Sequence, residues 1–138
     1  MMTSSQQPLL NHVLIVKDRQ GPKAYWLTAE MYSIGRDPGN SIRIDSQFVS
    51  RNHAILYKSP SSLNPEAFVY QILDGDVEGN PSTNGLYVNG QRVDFSDLAD
   101  GDEIRFGNDA TATYSLQQRT LDDILATFEH TEISLITS

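Results

Sequence analysis

The stretch Leu86-Tyr87-Val88-Asn89-Gly90-Gln91-Arg92-Val93 constrains the fold most tightly. Runs of β-forming residues flank Asn-Gly, which tolerates the positive φ angles of a two-residue type I′ turn, so the segment reads as a β-hairpin. The same pattern, a short β-branched or aromatic run closed by turn residues, recurs along the chain. His12 to Lys17, Ala24 to Thr28, Tyr32 to Ile34, His53 to Lys58, Phe68 to Leu73, Glu103 to Phe106 and Thr111 to Gln117 are further strand candidates. Ile42-Arg43-Ile44 alternates as a half-buried strand does. Gln20-Gly21-Pro22 precedes the run at Ala24, and the Pro/Ser/Asn-rich SPSSLNPE separates the runs at His53 and Phe68. About ten to eleven short strands with turns between them predict an all-β sandwich or barrel.

The pattern changes near the C-terminus. Leu121, Ile124, Leu125 and Phe128 fall on one helical stripe, Thr120 suits an N-cap, and Asp122 and Asp123 suit the first turn. This predicts a short amphipathic helix at about 120–130, docked on the sandwich or on a partner. The expected organisation is a flexible tail over 1–10, one domain over 11–117, and an extension over 118–138 that carries the helix.

Charge and residue usage exclude several function classes. Eighteen acidic and ten basic residues give a net charge of −8, which argues against a broad nucleic-acid surface. Apolar runs such as Val13 to Val16 are too short to span a bilayer, and MMTSSQQPLL has neither the basic nor the apolar region of a secretory signal. A soluble, cytoplasmic protein without a membrane partner is expected. There is no cysteine, and His12, His53 and His130 are scattered, so no metal-ligand spacing emerges. Asp74 to Asn80 begins like a calcium loop, but Gly85 stands where the bidentate glutamate belongs. Neither a nucleophile–base constellation nor a cofactor fingerprint is found, so an enzyme and a bound cofactor are not expected.

Against this acidic background, Ser33 to Tyr57 holds Arg36, Arg43 and Arg51. Three separated pieces belong with it: Gly35-Arg36, Ser50-Arg51-Asn52-His53, and Thr83-Asn84-Gly85 followed by Val88-Asn89-Gly90. A phosphate brings about −1.5 to −2 charge and three acceptor oxygens. Arginine offers a matching planar fork, hydroxyls add donors, and glycine-rich turns leave backbone N–H groups free. In this order, with the closing Asp100–Gly107 (DGDEIRFG), the pieces resemble the forkhead-associated (FHA) domain over roughly residues 11–117. That family comprises β-sandwiches that bind phosphothreonine peptides, and a compact chain of this kind is similar to its bacterial members.

The resemblance implies roles for individual residues. Arg36 would contact the phosphate directly, Ser50 would donate its hydroxyl, Arg51 would assist, and Thr83 would line the pocket. Asn84 would hold the main chain of an extended peptide. Gly35, His53 and Gly85 would support the site, His53 by holding the binding loop from behind. Arg43 reads as a solvated strand face, with the alternative that it adds positive potential at the site's edge. Phe48, two residues before Ser50, would face the residue three after the phosphothreonine, which predicts an apolar or permissive preference there. Thr120-Leu121-Asp122-Asp123 is a T-x-x-D sequence, so Thr120, besides its capping role, is a candidate phosphoacceptor for self-association through a phosphorylated tail. The implied partner is a threonine-phosphorylated protein downstream of a Ser/Thr kinase. The alternative is a scaffold or oligomerisation protein that binds without phosphate through a sandwich face or the C-terminal helix.

Overall fold

A computed structural model describes residues 9–60 and 67–119. The helix expected at 120–130, Thr120, and most of the two expected tails lie outside the described residues. Eleven strands are described: β1 (Leu9–Asp18), β2 (Gly21–Leu27), β3 (Met31–Gly35), β4 (Ile42–Arg43), β5 (Ala54–Pro60), β6 (Phe68–Asp74), β7 (Tyr87–Val88), β8 (Gln91–Arg92), β9 (Phe95–Asp97), β10 (Glu103–Gly107) and β11 (Ala110–Arg119). They form a six-stranded sheet, β2-β1-β11-β10-β7-β8, and a five-stranded sheet, β4-β3-β5-β6-β9. This is the all-β sandwich that the alternating runs predict.

Period-two patterning decides which faces meet. Tyr32 and Ile34 on β3, Ala54 and Leu56 on β5, and Tyr70 and Ile72 on β6 are buried, as are Ile104 and Phe106 on β10 and Ala112 and Tyr114 on β11. These residues join one hydrophobic core. Two polar side chains packed with it are bonded. The Tyr70 hydroxyl donates to Ala29 O at 2.6 Å, and buried His12 bonds Tyr114 through Nδ1 and stacks on Phe68 at 4.5 Å. The Asn-Gly turn forms as expected: Asn89 has φ 52° and Gly90 φ 84°, and Tyr87 pairs with Arg92 across it. The long central strands pair from Leu9↔Arg119 to Lys17↔Thr111.

β3 and β4 pair in parallel, with Ile34 opposite Ile42 and Gly35 opposite Arg43. The chain therefore leaves β3, loops through 36–41, and returns beside it. This loop, the 44–53 segment and the 75–86 segment are tied to one another, as the next subsection describes.

Candidate functional site

The site begins with a close backbone approach at Gly35. A Cβ there would lie 2.1 Å from Arg51 O and 2.7 Å from Arg51 C, so only glycine lets the 50–51 main chain lie directly on β3. Arg36 N–H donates to Ser50 O at 3.0 Å, Asp37 N–H to Arg51 O at 3.2 Å, and His53 N–H to Ile34 O at 2.8 Å. Asn40 clamps the same corner, its Nδ2 donating to Asp37 O at 2.9 Å and to Arg51 O at 2.6 Å.

His53 joins this loop to the 82–85 turn. Its ring is fully buried. Nδ1 accepts the Ser50 N–H at 3.0 Å, so the proton sits on Nε2 and is donated to Gly85 O at 2.8 Å. Burial lowers its pKa below the ordinary imidazole value, against the opposing pull of the Gly85 carbonyl and Asp74. The neutral tautomer is the one both bonds require. His53 thus bridges the 50–53 segment and the 82–85 turn from the buried side.

Ser50 and Thr83 meet on the outer side of this brace. Thr83 N–H donates to Ser50 Oγ at 2.8 Å. The hydroxyl oxygen is therefore an acceptor in this contact, which leaves its own proton to donate elsewhere. Arg36, half-buried, spends Nε on Val49 O at 3.0 Å. Its two terminal nitrogens make no hydrogen bond among the described residues, and its stem is anchored. Arg51 is exposed and lines the same groove as Arg36. Arg43 also lines that groove, and its Nε donates to Arg36 O at 3.0 Å. The reading of Arg43 as a plain solvated face omitted this contact.

Asn84 is exposed and donates its Nδ2 to Phe48 O at 2.7 Å, which brings the two together as walls of one cavity of about 260 Å³. Tyr87, Arg105 and Gly107 also line it, and the Arg105 guanidinium stacks over the Tyr87 ring at 4.7 Å. Phe48 is seated by Ser46, whose Oγ donates to Asp109 Oδ1 at 2.5 Å and accepts the Phe48 N–H at 3.1 Å. A Cβ on Gly107 would touch Phe48 Cβ at 3.0 Å.

Sequence reasoning missed several supporting residues. Ser82 is buried; its hydroxyl donates to Asp74 and accepts the Gly85 N–H at 3.0 Å. Gly85 has φ +91°, so Ser82 and Gly85 together shape the turn that presents Thr83 and Asn84. The Ser-Thr-Asn-Gly string carried a turn signal, but nothing local pointed to Asp74. Asp74–Asn80 forms a turn in which Asp76 Oδ1 accepts the Glu78 and Asn80 N–H groups at 2.9 Å each. Among the described residues, no group of three or more acidic or histidine side chains could hold a metal, and no helix is long and apolar enough to cross a membrane.

The arrangement is a loop platform that offers guanidinium, hydroxyl and amide donors outward. The FHA domain family model matches residues 32–107. The chain is 36% identical over 98 residues to the glycogen accumulation regulator GarA of Mycolicibacterium smegmatis, covering 69% of this chain and 53% of GarA. It is similar to the crystal structure of the Slr1951 protein from Synechocystis sp., with 42% identity, a TM-score of 0.71, and coverage of 77% of this chain and 98% of that one. It is also similar to Mycobacterium tuberculosis EmbR in complex with a low-affinity phosphopeptide, with 32% identity, a TM-score of 0.55, and coverage of 75% of this chain and 24% of EmbR. The chain spans about half the length, or less, of the curated relatives it matches.

Proposed function

The chain belongs to the FHA-domain family, and on that premise we propose that it is a phosphothreonine-dependent protein-binding module, an adaptor or regulator in Ser/Thr kinase signalling. Arg36, Ser50, Arg51 and Thr83 hold the phosphate, and Asn84 holds the extended peptide backbone. The module binds rather than catalyses, and it acts in the cytoplasm. The observation that carries the reading is the Ser50–Thr83 contact at 2.8 Å. It leaves the Ser50 proton free beside a loop whose next residue and whose neighbour Arg36 both end in guanidinium groups. The similar fold of EmbR, solved in complex with a low-affinity phosphopeptide, supports reading this chain as a phosphopeptide binder.

A few charge-assisted hydrogen bonds at about 1.5–3 kcal/mol each, less the cost of association, give an affinity around micromolar, near −8 kcal/mol. That suits a reversible switch. The test is a titration of one threonine peptide, with and without phosphate, against wild type and Arg36→Ala. The phosphorylated form binds wild type, and Arg36→Ala weakens it by about 10- to 150-fold, the loss of one charged hydrogen-bonding group. Equal affinity of wild type for both peptide forms would overturn the reading in favour of phosphate-independent scaffolding. Phosphorylated Thr120 as an internal ligand is tested by adding that phosphate and looking for competition with the peptide.

A further inference from the structure

Four of the chain's ten basic residues, Arg19, Arg36, Arg43 and Arg51, line one open groove of about 430 Å³. Arg36 and Arg51 belong to the phosphate clamp proposed above. Arg19 comes from the β1–β2 turn and Arg43 from β4, and both are exposed. They stand beyond the two guanidinium groups assigned to the phosphate, in a groove that Asp37 and Asp45 also line.

The acids near these arginines keep their charge but bond amide groups rather than guanidinium groups. Asp18 accepts the Gln20 N–H at 2.8 Å through Oδ1 and the Asp45 N–H at 2.8 Å through Oδ2. Asp45 Oδ2 accepts from Gln20 Nε2 at 3.2 Å, and Asp37 Oδ1 accepts the Gly39 N–H at 3.4 Å. Asp37 and Asp45 line the groove, yet among the described residues the only ion pair within 4 Å is Lys58–Glu30, at 3.9 Å. The bonds from Asp18 and Gln20 also lash the β1–β2 turn to the segment after β4, which holds Arg19 beside Arg43. Arg43 is oriented by its Nε bond to Arg36 O at 3.0 Å. A molecule of net charge −8 thus gathers four guanidinium groups, none of them in an ion pair within 4 Å, in one concavity beside the carboxylates of Asp37 and Asp45, and Arg19 and Arg43 stand there beyond the pair assigned to the phosphate.

We propose that Arg19 and Arg43 form a second anion subsite, continuous with the clamp, that takes a further anionic group of the same peptide. That group is a second phosphorylated residue or a run of aspartate and glutamate carboxylates flanking the phosphothreonine. The inference rests on the phosphothreonine reading of the clamp and adds a preference that the clamp alone does not supply. The Phe48 cavity shares no wall with this groove, so the two can read different parts of one ligand.

Calorimetric titration with three kinds of peptide of one parent sequence tests it: a single phosphothreonine with neutral flanks, the same with glutamates on either flank, and the same with a second phosphothreonine on either flank. In wild type, at least one anionic flank tightens binding by about fivefold or more, and the gain shrinks as salt rises. Arg19→Ala binds the neutral-flank peptide as wild type does and loses the gain. Arg43→Gln loses it too, measured against its own affinity for the neutral-flank peptide. The relative gains from glutamate and from a second phosphate identify which anion the groove takes. No gain on either flank, or a gain that survives both substitutions, overturns the proposal while leaving the clamp intact. A neutral-flank phosphopeptide that binds no better than its unphosphorylated form overturns the clamp and this subsite together.

Discussion

His53→Leu isolates the brace behind the proposed site. Leucine fits roughly the same space but makes neither of the bonds that the imidazole makes. Ser50 N–H loses its acceptor at 3.0 Å and Gly85 O loses its donor at 2.8 Å, around a ring with no exposed surface. Each orphaned buried group costs about 1–3 kcal/mol, so the substitution destabilises the domain by roughly 2–6 kcal/mol. For a small domain whose urea dependence is about 2 kcal/mol per molar, the unfolding midpoint falls by roughly 1–3 M. Binding measured at low temperature, where the variant is still folded, weakens by about tenfold as Ser50 and the 82–85 turn lose their register, equivalent to about 1.4 kcal/mol. The assay pairs urea unfolding with phosphopeptide titration on the same samples. A midpoint shift under about 0.5 M would refute the brace. So would a loss of binding with unchanged stability, which would instead make His53 a direct ligand contact.

Four further outcomes are expected. Gly35→Ala drives a methyl group into Arg51 O, 2.1 Å away; the 50–51 segment has to move, and phosphopeptide affinity falls by about tenfold or more with a stability loss of about 1–3 kcal/mol, read by titration and thermal unfolding. Asn84→Ala removes an exposed donor to Phe48 O, so affinity drops several-fold while the unfolding midpoint stays within about 0.5 kcal/mol of wild type. His12 and His53 both titrate below the ordinary imidazole value, chiefly because burial disfavours the cation, with the Lys58 charge adding to this at His12. The unfolded chain therefore binds protons that the folded one refuses below about pH 6.5, so stability is full above that pH and declines as pH falls beneath it; a urea midpoint that rises from pH 7 to pH 5.5 would contradict this. In a phosphopeptide library, the cavity of Phe48 and Tyr87 favours an apolar or tolerant position after the phosphothreonine, and a selection for aspartate there would assign that position to Arg105 instead.

The strand pattern was legible because it is local. Alternation at Ile42-Arg43-Ile44 and β-branched runs at 12–17 and 68–73 report which side chains face a core, and Asn89-Gly90 states its own turn. β9 (Phe95–Asp97) escaped because three residues without alternation carry no period; it exists through its pairing with β6, Leu73 opposite Phe95. The candidate site residues were likewise legible as residue types: Arg36, Ser50, Thr83 and Asn84 are donors on turns. Their relations were not. That Thr83 N–H meets the Ser50 hydroxyl, and that His53 spans from Ser50 to Gly85, depends on loops separated by some thirty positions in the chain and made neighbours by sheet register. Arg19, remote from every motif, enters the groove only because Asp18 and Gln20 fasten its turn to the segment after β4. The sequence by itself determined an all-β fold with an anion-seeking set of loops, since period and turn chemistry act over a few residues. Only the tertiary structure decided which donors and which acids share a groove, because charge compensation is a property of distance in space and not of spacing along the chain.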